Sequence, residues 1–312
     1  SRRRHTRFRN VTGVQTCALP ILSDPYARAS ALVELWELML EGNVAAGRVL
    51  DDLLLALPKE TDELILQQML EDVRIAFWRF TAADDRPAIA PRIETVLRAG
   101  LAQARSTSVK AAWFDALRRV ATTAPTVDWL TKVWRHEVKV DGLPLSENDE
   151  GDLAAELAIR DVEGAADILQ TQLERFKNPD RKARFAFAMP ALSSDTAVRD
   201  AFFESLSVLH NRQHEAWVLD AARYLHHPLR AAVSKKYVRQ ALGLTLEIKN
   251  TGDIFFPKRW ADATLSGYQS VQTAADVRSF IDRLPSDYPP RLRWVLLASA
   301  DPLFRAARLL SQ

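Results

Sequence analysis

From residue 22 onward, apolar residues recur at spacings of three and four along nearly the whole chain, as expected of helices that each bury one face. In 24–42 the stripe is Ala29, Leu32, Leu35, Trp36 and Met39. Ser23 and Asp24 ahead of Pro25 form a start signal, and Gly42 supplies a left-handed stop. A second helix is predicted over 44–57, ended at Pro58. A third opens at Thr61 or Asp62 and carries Leu64, Ile65, Met69, Val73 and Phe77 at helical spacing. The same pattern predicts helices over 91–104, 108–121 and 126–138.

Ser146 with Asp149 three residues later resembles a capping box at the head of the next helix. Further helices are predicted over 164–176, 181–189, 197–209, 215–225, 230–242, 257–268, 274–284, 290–300 and 302–310. Strand alternation is nearly absent, and the only short candidates are 137–140 and 244–248. About fifteen helices with short loops fit an all-α solenoid of paired antiparallel helices, a single elongated HEAT-like domain with a period of about forty residues. No crisp self-similar motif recurs at that period.

Composition is that of a globular chain: 47% apolar and 26% charged residues exclude wholesale disorder. No apolar run is long enough to span a membrane. The single cysteine, Cys17, excludes a disulfide framework. The formal net charge of +2 is unevenly spread, since residues 1–21 hold five of the 42 basic residues and no acidic one. Without them 37 basic residues face 40 acidic ones, which disfavours nucleic-acid binding. The segment SRRRHTRFRNVTGVQTCALPI resembles translated sequencing-adapter read-through, and it is set aside as a non-native tail. The chain opens on Ser rather than Met, and 22–312 is expected to be a fragment of a larger protein.

Candidate chemistry is sparse. His210 and His214 have the i, i+4 spacing of a zinc-binding helix, but Asn211 occupies the place of the glutamate base and Val233 that of a third, downstream ligand. His226 and His227 ahead of Pro228 read as cations at a helix C-terminus, with Pro228 ending the helix. No phosphate-binding or nucleophile-elbow motif occurs. The densest basic cluster is Arg175, Lys177, Arg181, Lys182 and Arg184. It is either a carboxylate- or phosphate-binding set or a solvated helix face. Trp36, Trp113, Trp129 and Trp217 lie on apolar stripes and read as core.

Several longer segments carry a resemblance. NPDRKARFAFAMPALSSD (178–195), RDAFFESL (199–206), HEAWVLDAARYLHHPLR (214–230) and TGDIFFPKRW (251–260) resemble the C-terminal region of bacterial zinc aminopeptidases of the aminopeptidase N family. DPYARASALVELWELMLEGNV (24–44) and LSENDEGDLAAELAIRD (145–161) are similar to the same region further upstream, so the resemblance spans 22–312. It implies the non-catalytic C-terminal helical domain of a zinc metallo-aminopeptidase, which closes over the active-site cleft and shapes the peptide chamber. The HExxH and GAMEN motifs have no counterpart here, so zinc and catalysis would belong to a domain outside this chain, which itself would need no cofactor. The implied partners are the parent's catalytic domain and the peptide substrate. By their place in the NPxR motif, Arg181 and Arg184 are the residues the resemblance turns toward the peptide's C-terminal side. A domain separated from its partner is also expected to expose apolar contact surface. The alternative is a free-standing helical-repeat scaffold for protein interaction, without enzymatic activity.

Overall fold

The computed structural model describes residues 22–311, and among them there are sixteen α-helices and no strand. The adapter-like segment 1–21 lies outside the described residues. The helices gather into two compact units. One runs to Thr126 with Val140–Leu143 added, and the other comprises Val127–Lys139 and the chain from Pro144 onward. The first holds α1 (Pro25–Leu40), α2 (Ala46–Ala56), α3 (Glu63–Arg79), α4 (Arg86–Gln103) and α5 (Thr107–Val120). The division falls inside α6 (Ala124–Trp134). The second holds α7 (Glu147–Ile159), α8 (Ala165–Arg175), α9 (Pro179–Leu192), α10 (Thr196–Ser205) and α11 (Glu215–Leu225). It continues with α12 (Ala231–Gly243), α13 (Thr245–Thr251), α14 (Phe256–Leu265), α15 (Val271–Asp282) and α16 (Pro290–Leu310).

Side-chain caps start many of these helices. Asp24, Asp62, Ser106, Asn178, Asp195 and Ser270 each accept from backbone N–H groups of the first turn, which otherwise lack partners. Ser146 and Asp149 form the reciprocal box that their spacing predicts. Gly42 stops α1 at φ 82°.

Within each unit the helices pack on near neighbours in sequence, as in a helical solenoid. In the first, α4 lies on α5, α3 on α5 and α2 on α3. In the second, α7 lies on α8, α9 on α11, α11 on α14, and α14 on α16. The polar bonds between layers show the period directly. Trp78 Nε1 donates to the Arg119 carbonyl 41 residues on. Trp134 and Gln172 are bonded across 38 residues, Lys236 and Asp200 across 36, and His226 and Tyr268 across 42. The forty-residue period therefore resides in contacts rather than in any repeated motif.

Buried and half-buried arginines cap helix ends across these layers. Arg86 donates to the Phe77 and Trp78 carbonyls that end α3, at 3.2 and 2.7 Å. Arg175 donates to the Trp134 carbonyl at the end of α6 at 2.9 Å, with its guanidinium 4.3 Å from the Trp134 ring centroid. Arg293 closes α15 through the Ile281 and Leu284 carbonyls. The last carbonyls of a helix have no internal partner, and a planar, multiply donating cation satisfies several at once. Burial lowers Arg86 and Arg230 to about 10, so both stay protonated at neutral pH.

The structure corrects several sequence expectations. Residues 244–248 are helical, because Ile248 N–H bonds back to the Leu244 carbonyl and Ile248 is fully buried. Residues 137–140 form a bend and an irregular stretch rather than a strand. There, α6 stops at Trp134, four residues short of its expected end, because His136 takes the left-handed stop at φ 63°. Glu137 N–H then bonds back to the Lys132 carbonyl. Asp161 plays the same part after α7 at φ 49°. Pro91 and Pro302 begin no helices; each lies inside one, in α4 and α16. The carbonyls they leave unbonded are those of Pro87 and Ala298, both exposed residues where water can serve as donor.

Candidate functional site

The NPDR start places the predicted site residues. Asn178 Oδ1 accepts from the Asp180 and Arg181 N–H groups, both at 3.0 Å, and Pro179 fits the first turn. The first turns of α9 therefore stand out into solvent, with Arg181, Lys182 and Arg184 all exposed. Arg181 Nη1 lies 3.5 Å from Glu147 Oε2 at the head of α7. Glu147 Oε1 also accepts from the Lys177 N–H at 3.2 Å. Arg184 Nε donates to Asp220 Oδ2 of α11 at 2.7 Å.

The five-residue basic cluster is thus divided. Arg175 turns inward as a helix cap, whereas Arg181 and Arg184 share the exposed N-terminal part of α9. Sequence reasoning missed Asp220 and Arg223, which complete the arrangement: Arg223 Nη1 donates to Asp220 Oδ1 at 3.0 Å. The Asp-x-x-Arg spacing on one helix was the available signal. Phe187, one turn beyond Arg184, lies 5.9 Å from the Trp217 ring, one turn before Asp220. His214 stacks flat on Trp217 at 4.0 Å.

The remaining candidates resolve differently. His210 lies in the short 3-10 turn Leu209–Arg212 and His214 is the N-cap residue of α11, so the two do not share a helix face. Among the described residues no three or more His, Cys, Asp or Glu side chains group as a metal would require. These side chains do not fit a zinc ion. His226 is no C-terminal cation. It is fully buried, shares a 2.6 Å hydrogen bond between Nδ1 and the Tyr268 hydroxyl, and burial drives its pKa down to about 3. His227 instead caps the next turn, its Nδ1 accepting from the Leu229 N–H at 3.2 Å.

Of the four tryptophans read as core, Trp113 is buried, while Trp36, Trp129 and Trp217 are half-buried. Trp294 stands 71% exposed on α16. Other large apolar side chains face solvent on several elements, including Tyr26 and Val33 on α1 and Ile254 and Phe255 before α14. Among the described residues no helix is long and apolar enough to cross a membrane. No family model matches this sequence, and no curated protein is significantly similar to it.

Proposed function

We propose that this chain is the non-catalytic C-terminal helical domain of a zinc metallo-aminopeptidase, an enzyme that removes N-terminal residues from peptides. The observation that carries this reading is the run of aminopeptidase N-like segments from 24 to 260. These segments fall on helices and on the caps and turns that begin them. The NPDR segment starts α9, the HEAWVLDAARYLHH segment is α11 with its ends, and the TGDIFFPKRW segment leads into α14. The exposed apolar side chains on α1, on α16 and ahead of α14 support a chain that meets a further protein surface.

In this reading zinc and the hydrolytic residues belong to the parent's catalytic domain, where the metal would activate the attacking water. The helices described here contribute the wall of the peptide chamber. Arg181 and Arg184 form the cationic part of that wall, facing the C-terminal side of the peptide.

The test is the coding sequence upstream of codon 22 together with the activity of its product. A longer reading frame containing HExxH, whose product hydrolyses an aminoacyl-nitroanilide while 22–312 alone does not, supports the proposal. A start codon just before Leu22 with no hydrolase sequence upstream points instead to a free-standing helical scaffold.

A further inference from the structure

A cavity of about 80 Å³ opens in the first unit between α1, the short turn Leu57–Lys59 and α3. A single water needs roughly 10–15 Å³ of such space, so the cavity has room for a small organic group. Leu32, Ala56 and Met69, all buried, form its floor, and Leu22 closes one side. Arg28, Lys59, Glu60 and Thr61 form its polar rim.

The rim offers donors rather than free acceptors. Glu60 Oε1 accepts from Arg28 Nη2 and from the Thr61 and Asp62 N–H groups, and Oε2 accepts from Arg28 Nε. Arg28 Nη1 donates to the Leu22 and Ser23 carbonyls at 2.9 and 3.0 Å. A guanidinium carries about five N–H donors, so one on Nη2 is left over. Lys59 and Thr61 are exposed at the mouth. Among the described residues no hydrogen bond or ion pair engages the Lys59 ammonium. Arg28 and Glu60 neutralise one another, which leaves Lys59 as the uncompensated charge of the lining. Asp24 and Asp62 also act on Arg28, but neither lines the cavity, and each is matched by the helix N-terminus that it caps.

We infer that this cavity binds a short, branched aliphatic monocarboxylate, its tail on Leu32, Ala56 and Met69 and its carboxylate on Lys59, Thr61 and the remaining Arg28 N–H. An apolar floor with a few convergent polar groups is the general form of a small-molecule site. Charged donors suit a carboxylate. A free α-amino acid of the same size fits less well, because its ammonium would lie beside two cations with no unclaimed carboxylate to receive it. The inference goes beyond the reading above and does not depend on it.

The test is methionine-methyl NMR of the whole chain, which contains three methionines. Met69 lines the cavity, whereas Met189 lies on α9 in the second unit. The variant Met69→Leu assigns the reporting signal. Titration with 3-methylbutanoate is expected to shift the Met69 signal saturably and to leave Met189 in place. The amide 3-methylbutanamide, the amino acid valine and the tail-less acid acetate are each expected to bind at least about tenfold more weakly. Lys59→Gln is expected to weaken binding of 3-methylbutanoate about tenfold, and Lys59→Arg, which keeps the charge, to stay within about threefold. Lys59 is exposed, so both replacements leave the core intact. An unmoved Met69 signal, equal binding of the amide or of valine, or unchanged binding by Lys59→Gln overturns the inference. Because binding is read without turnover, these failures leave the aminopeptidase reading untouched.

Discussion

Arg230 Nη2 donates to the carbonyl of Ala158, 72 residues earlier in the chain, at 3.3 Å. The same guanidinium donates to the Ala191 and Leu192 carbonyls at 2.7 and 2.8 Å, and its Nη2 lies 3.6 Å from the Asp161 carboxylate. One buried cation therefore ties the ends of α7 and α9 to the start of α12, across two turns of the repeat. Replacing it by methionine leaves three carbonyls without their donor. Arg230→Met is expected to cost about 3 kcal/mol in chemical denaturation, and Arg230→Lys somewhat less.

Asp72 gives the first unit an unusual pH response. It is buried on α3, accepts a 2.8 Å bond from Gln68 Nε2, and burial raises its pKa to about 6. A carboxyl raised above its unfolded value holds its proton more tightly when folded. Its ionisation therefore opposes folding: stability is highest below about pH 4, falls as pH rises to about 6, and stays low above. The penalty approaches ~3 kcal/mol. Asp72→Asn is expected to raise stability at pH 7.5 by about 1–3 kcal/mol and to change little at pH 4. Denaturation series at the two pH values read the difference.

His226 gives the second unit the opposite response. Its folded pKa of about 3 lies below the ordinary value of 6.5, so the unfolded chain takes up the proton first. Stability is whole above pH 6.5 and falls as pH drops toward 3, by about 1.4 kcal/mol per unit. The double variant His226→Leu, Tyr268→Phe removes both polar partners together. It is expected to flatten the profile between pH 6.5 and 4.5, read by amide exchange in α11.

Glycine positions separate close approach from mere propensity. A Cβ on Gly267 would lie 1.7 Å from the His226 carbonyl oxygen, a backbone atom that cannot swing away. Gly267→Ala is expected to cost about 3 kcal/mol. Gly47, in the first turn of α2, has nothing within 4 Å of such a Cβ. Gly47→Ala is expected to gain about 0.5 kcal/mol by helix propensity. Thermal melts of the two variants should therefore move in opposite directions.

Much of the helical order was legible because caps and apolar stripes act locally: Asp24, Asp62 and Ser146 start helices where the sequence places them. The stops at His136 and Asp161 were not, because a left-handed residue other than glycine leaves no mark in composition. Pro91 and Pro302 misled for a related reason, since a proline whose lost bond faces water interrupts nothing. At the candidate site, the Asn178 cap starts α9 and both Arg181 and Arg184 are exposed on it. Their partners Glu147 and Asp220 come from helices about 35 residues away in the repeat, at a distance only packing reveals. The burial of His226 likewise depends on Tyr268, one repeat further along.

The most direct test of the account is hydrolysis of an aminoacyl-nitroanilide by the product of the extended reading frame, compared with 22–312 alone. The account predicts zinc-dependent turnover by the longer protein, carried by an HExxH segment upstream of Leu22, and none by the helical chain. Zinc-dependent turnover by 22–312 itself, or an upstream frame without a hydrolase, would contradict it.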